Sequence, residues 1–141
     1  MDSKKILIVD DDAVIRKSLS TTLTAGGYKP IVARDGGEAI SAVRRDKPDL
    51  ILLDINFRPD VGHGGGVAWN GFLIISWLRR MDEAKDIPIL LITGDTGPQR
   101  KEQAIKAGAV GLLQKPVSKD ELLGTIRQAL GEVAAEAQPS T

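Results

Sequence analysis

Five short apolar runs set the narrowest limit on what this chain can become: Ile6–Val9, Pro30–Ala33, Leu50–Leu53, Ile89–Ile92 and Val110–Leu113. Each is too short for a helix, and three are nearly unbroken, the pattern of strands covered on both faces. Segments with helical spacing separate them. Ile15, Leu19 and Leu23 recur every fourth residue, and Gly26-Gly27 follows where a helix C-cap is expected. Phe72, Ile75 and Leu78 mark a strongly apolar helix. Leu122, Ile126, Ala129, Leu130 and Val133 draw one stripe on the last helix, with Ser118 as its N-cap. Strand and helix alternate without an internal repeat. That alternation predicts right-handed crossovers and a parallel sheet with helices on both faces, a (βα)₅ doubly wound α/β domain.

A chain of 141 residues can bury one core without staples. The domain is expected over residues 1–133, and the Ala/Glu/Gln/Pro/Ser-rich residues 134–141 as a flexible tail or the start of a linker. Lys+Arg and Asp+Glu each number 19, so no global excess draws the chain to nucleic acid or to an anionic membrane. The absence of cysteine excludes disulfides and thiolate metal sites. Ile6–Val9 is far too short for a signal peptide or a membrane span, and a cytoplasmic protein is expected.

The chemistry follows the strands. Asp10-Asp11-Asp12 follow the first run, Asp54 the third, Thr93 the fourth, and Gln114 and Lys115 the fifth. In a parallel sheet all of these lie at the carboxyl ends of the strands, where open α/β sheets bind ligands. Carboxylates gathered there repel one another unless a cation compensates. Mg²⁺ suits such a site, since it takes one or two carboxylates plus waters and phosphate oxygens. Lys115 offers a cation for a phosphate or acyl-phosphate oxygen, and Thr93 a hydroxyl. These are the parts needed to transfer a phosphoryl group to an aspartate. Asp12 reads better as the N-cap of the first helix than as a metal ligand.

The stretches IVDDD (Ile8–Asp12), LLDIN (Leu52–Asn56), ITGD (Ile92–Asp95) and KAGAVGLLQKP (Lys106–Pro116) together closely resemble the receiver domain of two-component response regulators. The resemblance spans roughly Lys5 to Val133. It implies a flavodoxin-like fold with strand order 2-1-3-4-5. It also implies that Asp54 is the phosphoacceptor, and that Mg²⁺ is held by Asp10, Asp11, Asp54 and the backbone carbonyl of Asn56. Thr93 and Lys115 would contact the phosphoryl group, Gly94 would leave room for the donor, and the Lys115–Pro116 peptide would be cis. The implied donor is a sensor histidine kinase or a histidine phosphotransfer protein. The implied receiver of the signal is a downstream protein or an output domain absent from this chain, with a phosphorylation-dependent homodimer as a further outcome. The chain then reads as a stand-alone receiver or an N-terminal domain, a signalling phosphoacceptor rather than an enzyme with a separate substrate. His63, the sole histidine, reads as a solvated loop residue, because the phosphohistidine would belong to the kinase. His63-Gly-Gly-Gly is similar to the oxyanion loop of some esterases, but no Gly-x-Ser-x-Gly elbow accompanies it.

Two departures from the family stand out. An aromatic residue usually sits three positions before the active-site lysine, and this chain has Leu112, which weakens the aromatic half of the threonine–aromatic switch. The passage from Asp54 to the third helix is also longer than usual by roughly nine residues, near the length at which a loop needs a role of its own. Within it, Trp69 is a candidate partner contact, with packing onto the sheet edge or third helix as the alternative. The rival function from another class is a phosphohydrolase of the haloacid dehalogenase type, which needs an acid/base carboxylate where this chain has Asn56. A degenerate receiver that serves only for docking is the third reading, and the complete set of Asp10, Asp11, Asp54, Thr93 and Lys115 argues against it.

Overall fold

The carboxyl ends of parallel strands can share one site only if the sheet brings the right strands together. The computed structural model describes residues 4–54, 71–93, 98–115 and 117–131. Asn56, the segment 57–70 with His63 and Trp69, Gly94, Pro116 and Val133 lie outside the described residues. Strands β1 (Lys5–Val9), β2 (Lys29–Ala33), β3 (Leu50–Asp54), β4 (Ile89–Thr93) and β5 (Gly111–Gln114) alternate with helices. These are α1 (Ala13–Ala25), α2 (Gly36–Asp46), α3 (Gly71–Arg80), α4 (Pro98–Ala107) and α5 (Lys119–Ala129). The sheet runs β2-β1-β3-β4-β5 with every pairing parallel, as expected.

The unbroken runs have the predicted meaning. The five residues of β3 and of β4 are all buried, and in β1 only Lys5 is not. Their side chains divide by parity, as a pleated strand requires. Leu7, Val9, Ile51, Leu53, Ile89 and Leu91 face the core shared with α2, α3 and α4. Ile6, Ile8, Leu50, Leu52, Leu90 and Ile92 face the core closed by Leu23 of α1 and by Leu122, Leu123 and Ile126 of α5. The edge strand β2 is half open instead, with Val32 exposed.

Element ends follow capping chemistry. Asp12 caps α1 by accepting from Val14 N–H at 2.8 Å, and Ser118 caps α5 by accepting from Glu121 N–H at 3.1 Å. Gly26 is the C-cap of α1, and Gly27 behind it takes the left-handed φ of 90° that turns the chain into β2. Several strand boundaries differ from expectation. Asp54 and Thr93 are the last residues of their strands rather than the first beyond them, because the ladder continues to Asp54 opposite Ile92 and Thr93 opposite Gln114. β5 begins at Gly111, and Val110 is exposed just before it.

At the amino ends of β4 and β5, far from the acidic strand ends, Arg79 closes the fold. Its Nη1 donates to the carbonyls of Ala84, Lys85 and Ile87 at 3.1, 3.0 and 2.9 Å. Its Nη2 donates to the carbonyl of Gly108 at 2.8 Å. A helix end, the turn after it and the α4–β5 corner are thereby held by one side chain. Gly108 has a φ of 108°, and a Cβ there would stand 3.1 Å from Nε of Arg79, so the corner needs glycine twice over. Replacing Arg79 by Met leaves these carbonyls without their donor and should cost about 2–4 kcal/mol in urea unfolding. Arg79→Lys should recover less than half of that, since one ammonium cannot span both sides of the fork. A loss below about 0.5 kcal/mol for Arg79→Met would mean that water replaces the clasp at no cost.

Candidate functional site

Because β1 and β3 are neighbours, with Val9 paired to Leu53, the residues that follow them, Asp10 and Asp54, meet at the carboxyl edge of the sheet. Carboxylate oxygens of Asp10, Asp11 and Asp54 lie within 4.8 Å of one another. Asp10 and Asp54 are buried, whereas Asp11 is exposed to solvent. Lys115 arrives from the far side of the sheet, after β5. Its backbone N–H donates to the carbonyl of Thr93 at 2.8 Å, which ties the lysine to the end of β4. Its Nζ stands 3.3 Å from Asp54 Oδ1 and 3.7 Å from Asp10 Oδ2. Together with Asp12, Ala13 and Ile15, these residues line a polar cleft of about 470 Å³.

The electrostatics follow from this crowding. Burial pushes the Asp10 carboxyl up to about 6, and the neighbouring Asp54 charge acts in the same direction. The backbone N–H of Asp12, which donates to Asp10 Oδ1 at 2.9 Å, opposes the rise, as does the Lys115 ammonium. One lysine offsets part of the charge of three carboxylates. A divalent cation would relieve the repulsion among these carboxylates, and their all-oxygen donors suit a hard ion such as Mg²⁺. The amino terminus of α1 opens at the same edge and adds the positive end of a helix dipole.

The structure brings Asp10, Asp11, Asp54 and Lys115 into one cleft, as the sequence predicts. Thr93 is fully buried at the end of β4, directly behind Lys115. Asp12 takes the capping role expected of it. Leu112, at the position where an aromatic is usual, is partly buried and packs against the core under α2, α3 and α4. Arg16 is the residue that sequence reasoning missed. Its Nη1 donates to the backbone carbonyl of Asp10 at 2.8 Å, from the end of the first turn of α1. The only signal for it in the sequence is a cation six residues beyond an acidic strand end, which is common without any such contact.

A doubly wound parallel sheet with an acidic, lysine-balanced site at its strand ends defines the class of protein. The family model of the response regulator receiver domain matches residues 6–127, and the chain belongs to that family. It is 31% identical over 129 residues to the polar-differentiation response regulator DivK of Brucella anthropi, covering 92% of this chain and 98% of that one. It is 36% identical over 126 residues to the response regulator MprA of Mycobacterium leprae, covering 89% of this chain but only 50% of MprA. Among solved structures, the chemotaxis response regulator CheY4 of Vibrio cholerae superposes with a TM-score of 0.79 at 33% identity, over 91% of this chain and 99% of that one. The family is one of signalling phosphoacceptors, and membership displaces the dehalogenase-type phosphohydrolase as a reading of the site. Among the described residues, no helix is long and apolar enough to cross a membrane.

The raised Asp10 carboxyl has a pH signature. The native state binds a proton at Asp10 that the unfolded chain has already lost between about pH 4 and 6, so this group makes stability fall as pH rises through that window. In the metal-free protein, Asp10→Asn should gain stability over wild type from pH 4 to pH 7 by about 2–3 kcal/mol. Urea unfolding at a series of pH values measures the difference. A gap that stays constant with pH would show that Asp10 ionises as readily in the fold as outside it.

Proposed function

We propose that Asp54 is the phosphoacceptor of this receiver, that Asp10, Asp11 and Asp54 hold Mg²⁺ with the backbone carbonyl of Asn56, and that Thr93 and Lys115 contact the transferred group. The observation that carries this reading is the pairing of buried Asp54 with Lys115 at 3.3 Å, inside the acidic cluster at the strand ends. A buried carboxylate with a lysine beside it and two further carboxylates to hold a cation is a nucleophile with the means of charge compensation at hand. Bound Mg²⁺ would neutralise charge on the incoming phosphoryl group. Asp54 supplies the oxygen that bonds to phosphorus as the bond to the donor's imidazole nitrogen breaks. Lys115 is already beside Oδ1 of Asp54 and can shift from the carboxylate to a phosphoryl oxygen without crossing the site. Its N–H bond to Thr93 would carry that shift to the end of β4.

The phosphoryl donor is a sensor histidine kinase or a histidine phosphotransfer protein, and the signal passes to a protein target or to an output domain on the same polypeptide. Both arrangements have support among the relatives, since the chain spans nearly all of DivK and half of MprA. Catalysis is confined to the protein's own phosphorylation and dephosphorylation. Leu112 has no ring to bury and no hydroxyl, so coupling runs through Lys115 and Thr93 with less help from that position. The additional length in sequence between Asp54 and α3, with Trp69, is a candidate partner contact.

Incubation with acetyl phosphate and Mg²⁺ should label one residue, and peptide mapping should find it at Asp54. A folded Asp54→Asn protein that labels as well as wild type would sink the assignment. Lys115→Met should separate the two roles of the lysine. It should bind Mg²⁺ a few-fold more tightly, because a cation beside Asp54 no longer competes, yet change fewer amide resonances than wild type on adding beryllofluoride. Equal spectral changes in both proteins would remove Lys115 from the coupling.

A further inference from the structure

The first rung beyond the sheet is where the acidic site acquires its shape. Asp10 N–H still donates to the Ala33 carbonyl at 3.1 Å, as a β1–β2 rung should. In a parallel ladder the carbonyl of Asp10 would next receive the N–H two residues beyond Ala33. That residue, Asp35, has instead turned away to cap α2, accepting from Glu38 N–H at 2.8 Å. The carbonyl of Asp10 is bonded by the Arg16 guanidinium at 2.8 Å. Arg16 N–H donates to the carbonyl of Asp12 at 3.0 Å, and Asp12 N–H donates to Asp10 Oδ1 at 2.9 Å. The backbone of Asp10 is therefore held at both its N–H and its carbonyl. The sheet fixes its N–H, and Arg16 fixes its carbonyl, which leaves the carboxylate little freedom to leave the cleft. On its outer side Arg16 is felt by Glu38, whose carboxylate also receives Arg34 N–H at 2.7 Å and Arg34 Nε at 3.0 Å.

We propose that Arg16 is a positioning residue for the acidic site, acting through the Asp10 carbonyl to hold the Asp10 and Asp11 carboxylates where they can share a divalent cation with Asp54. The inference rests on the metal-binding reading above. It makes a prediction whose sign separates it from the alternatives. If Arg16 were merely a cation near three carboxylates, its removal would tighten Mg²⁺ binding. If it only stabilised α1, removal would lower the melting temperature and leave Mg²⁺ affinity unchanged. A positioning role requires that removing a cation weaken the binding of a cation. Groups that orient metal ligands through a hydrogen bond typically change affinity by at least tenfold when lost.

The test is a Mg²⁺ titration of wild type, Arg16→Met and Asp54→Asn, followed by amide NMR, with thermal unfolding of each metal-free protein alongside. Arg16→Met should raise the Kd about tenfold. In the metal-free state, amide hydrogen exchange at Asp12 should also quicken relative to amides of α5. Should Arg16→Met fail to fold, Arg16→Lys serves instead, since it keeps the charge but shortens the reach, and a several-fold weaker affinity is expected. Unchanged or tighter Mg²⁺ binding in a folded Arg16 variant overturns the positioning role while wild type still binds. A wild type that binds no Mg²⁺, or an Asp54→Asn protein that binds it equally well, overturns the metal-site reading and the positioning role with it.

Discussion

Two buried carboxylates within reach of each other are the constraint on which the rest of this structure depends. Asp10 and Asp54 are almost wholly removed from water, and placing both there is unfavourable unless their charge is answered. The fold answers it in parts. Lys115 supplies a counter-charge from the opposite half of the sheet, the amino end of α1 supplies oriented N–H groups, and Asp10 keeps a raised affinity for a proton. Each of these answers is one that a divalent ion could replace, and that is useful. A site already neutral would have no affinity for a divalent ion and no reason to rearrange when a phosphoryl group arrives.

The strand order translates that electrostatic requirement into topology. With β1 beside β3, Asp10 and Asp54 are neighbours across one ladder, although they are far apart in sequence. With β5 outside β4, Lys115 must reach past the end of β4, and its N–H bond to Thr93 fixes the height from which it reaches. Crossover helices run back against the strands, so their amino ends gather at the same edge as the acidic residues. The amino end of α1 thus brings the positive end of its dipole to the acidic residues.

Much of this was legible in the sequence, because the physics is local. Runs such as Leu50–Leu53 and Ile89–Ile92 are unbroken because both faces of those strands are buried, and the polar residue after each run, Asp54 or Thr93, marks the carboxyl end of its strand. Asp12 and Ser118 announce themselves as caps by type and place. The missed features are tertiary. Strand ends shift by a residue because the ladder, which the partner strand decides, continues to Asp54 and Thr93. Arg16 and Arg79 look like ordinary helical cations, since nothing near them in sequence reveals the carbonyls they meet. Those carbonyls are exposed by turns elsewhere: one where β2 leaves the ladder, the others where α3 and α4 hand the chain to β4 and β5. An arginine that serves backbone left over by the fold has no signature of its own.

The two arginines also show how the molecule separates stability from function along the sheet. At the amino ends of β4 and β5, Arg79 hydrogen-bonds neutral carbonyls, so its contribution is to stability. At the carboxyl ends, Lys115 is held between two carboxylates that a divalent ion would also claim, so its bonds are conditional on what the site contains. Arg16 stands between these cases. It bonds a neutral carbonyl, as Arg79 does, but the peptide it holds carries an acidic ligand of the site. A cation that binds backbone can steady a carboxylate without neutralising it, which a cation bound to the carboxylate itself cannot do. An acidic cluster that must stay both ordered and underneutralised needs the first kind as well as the second.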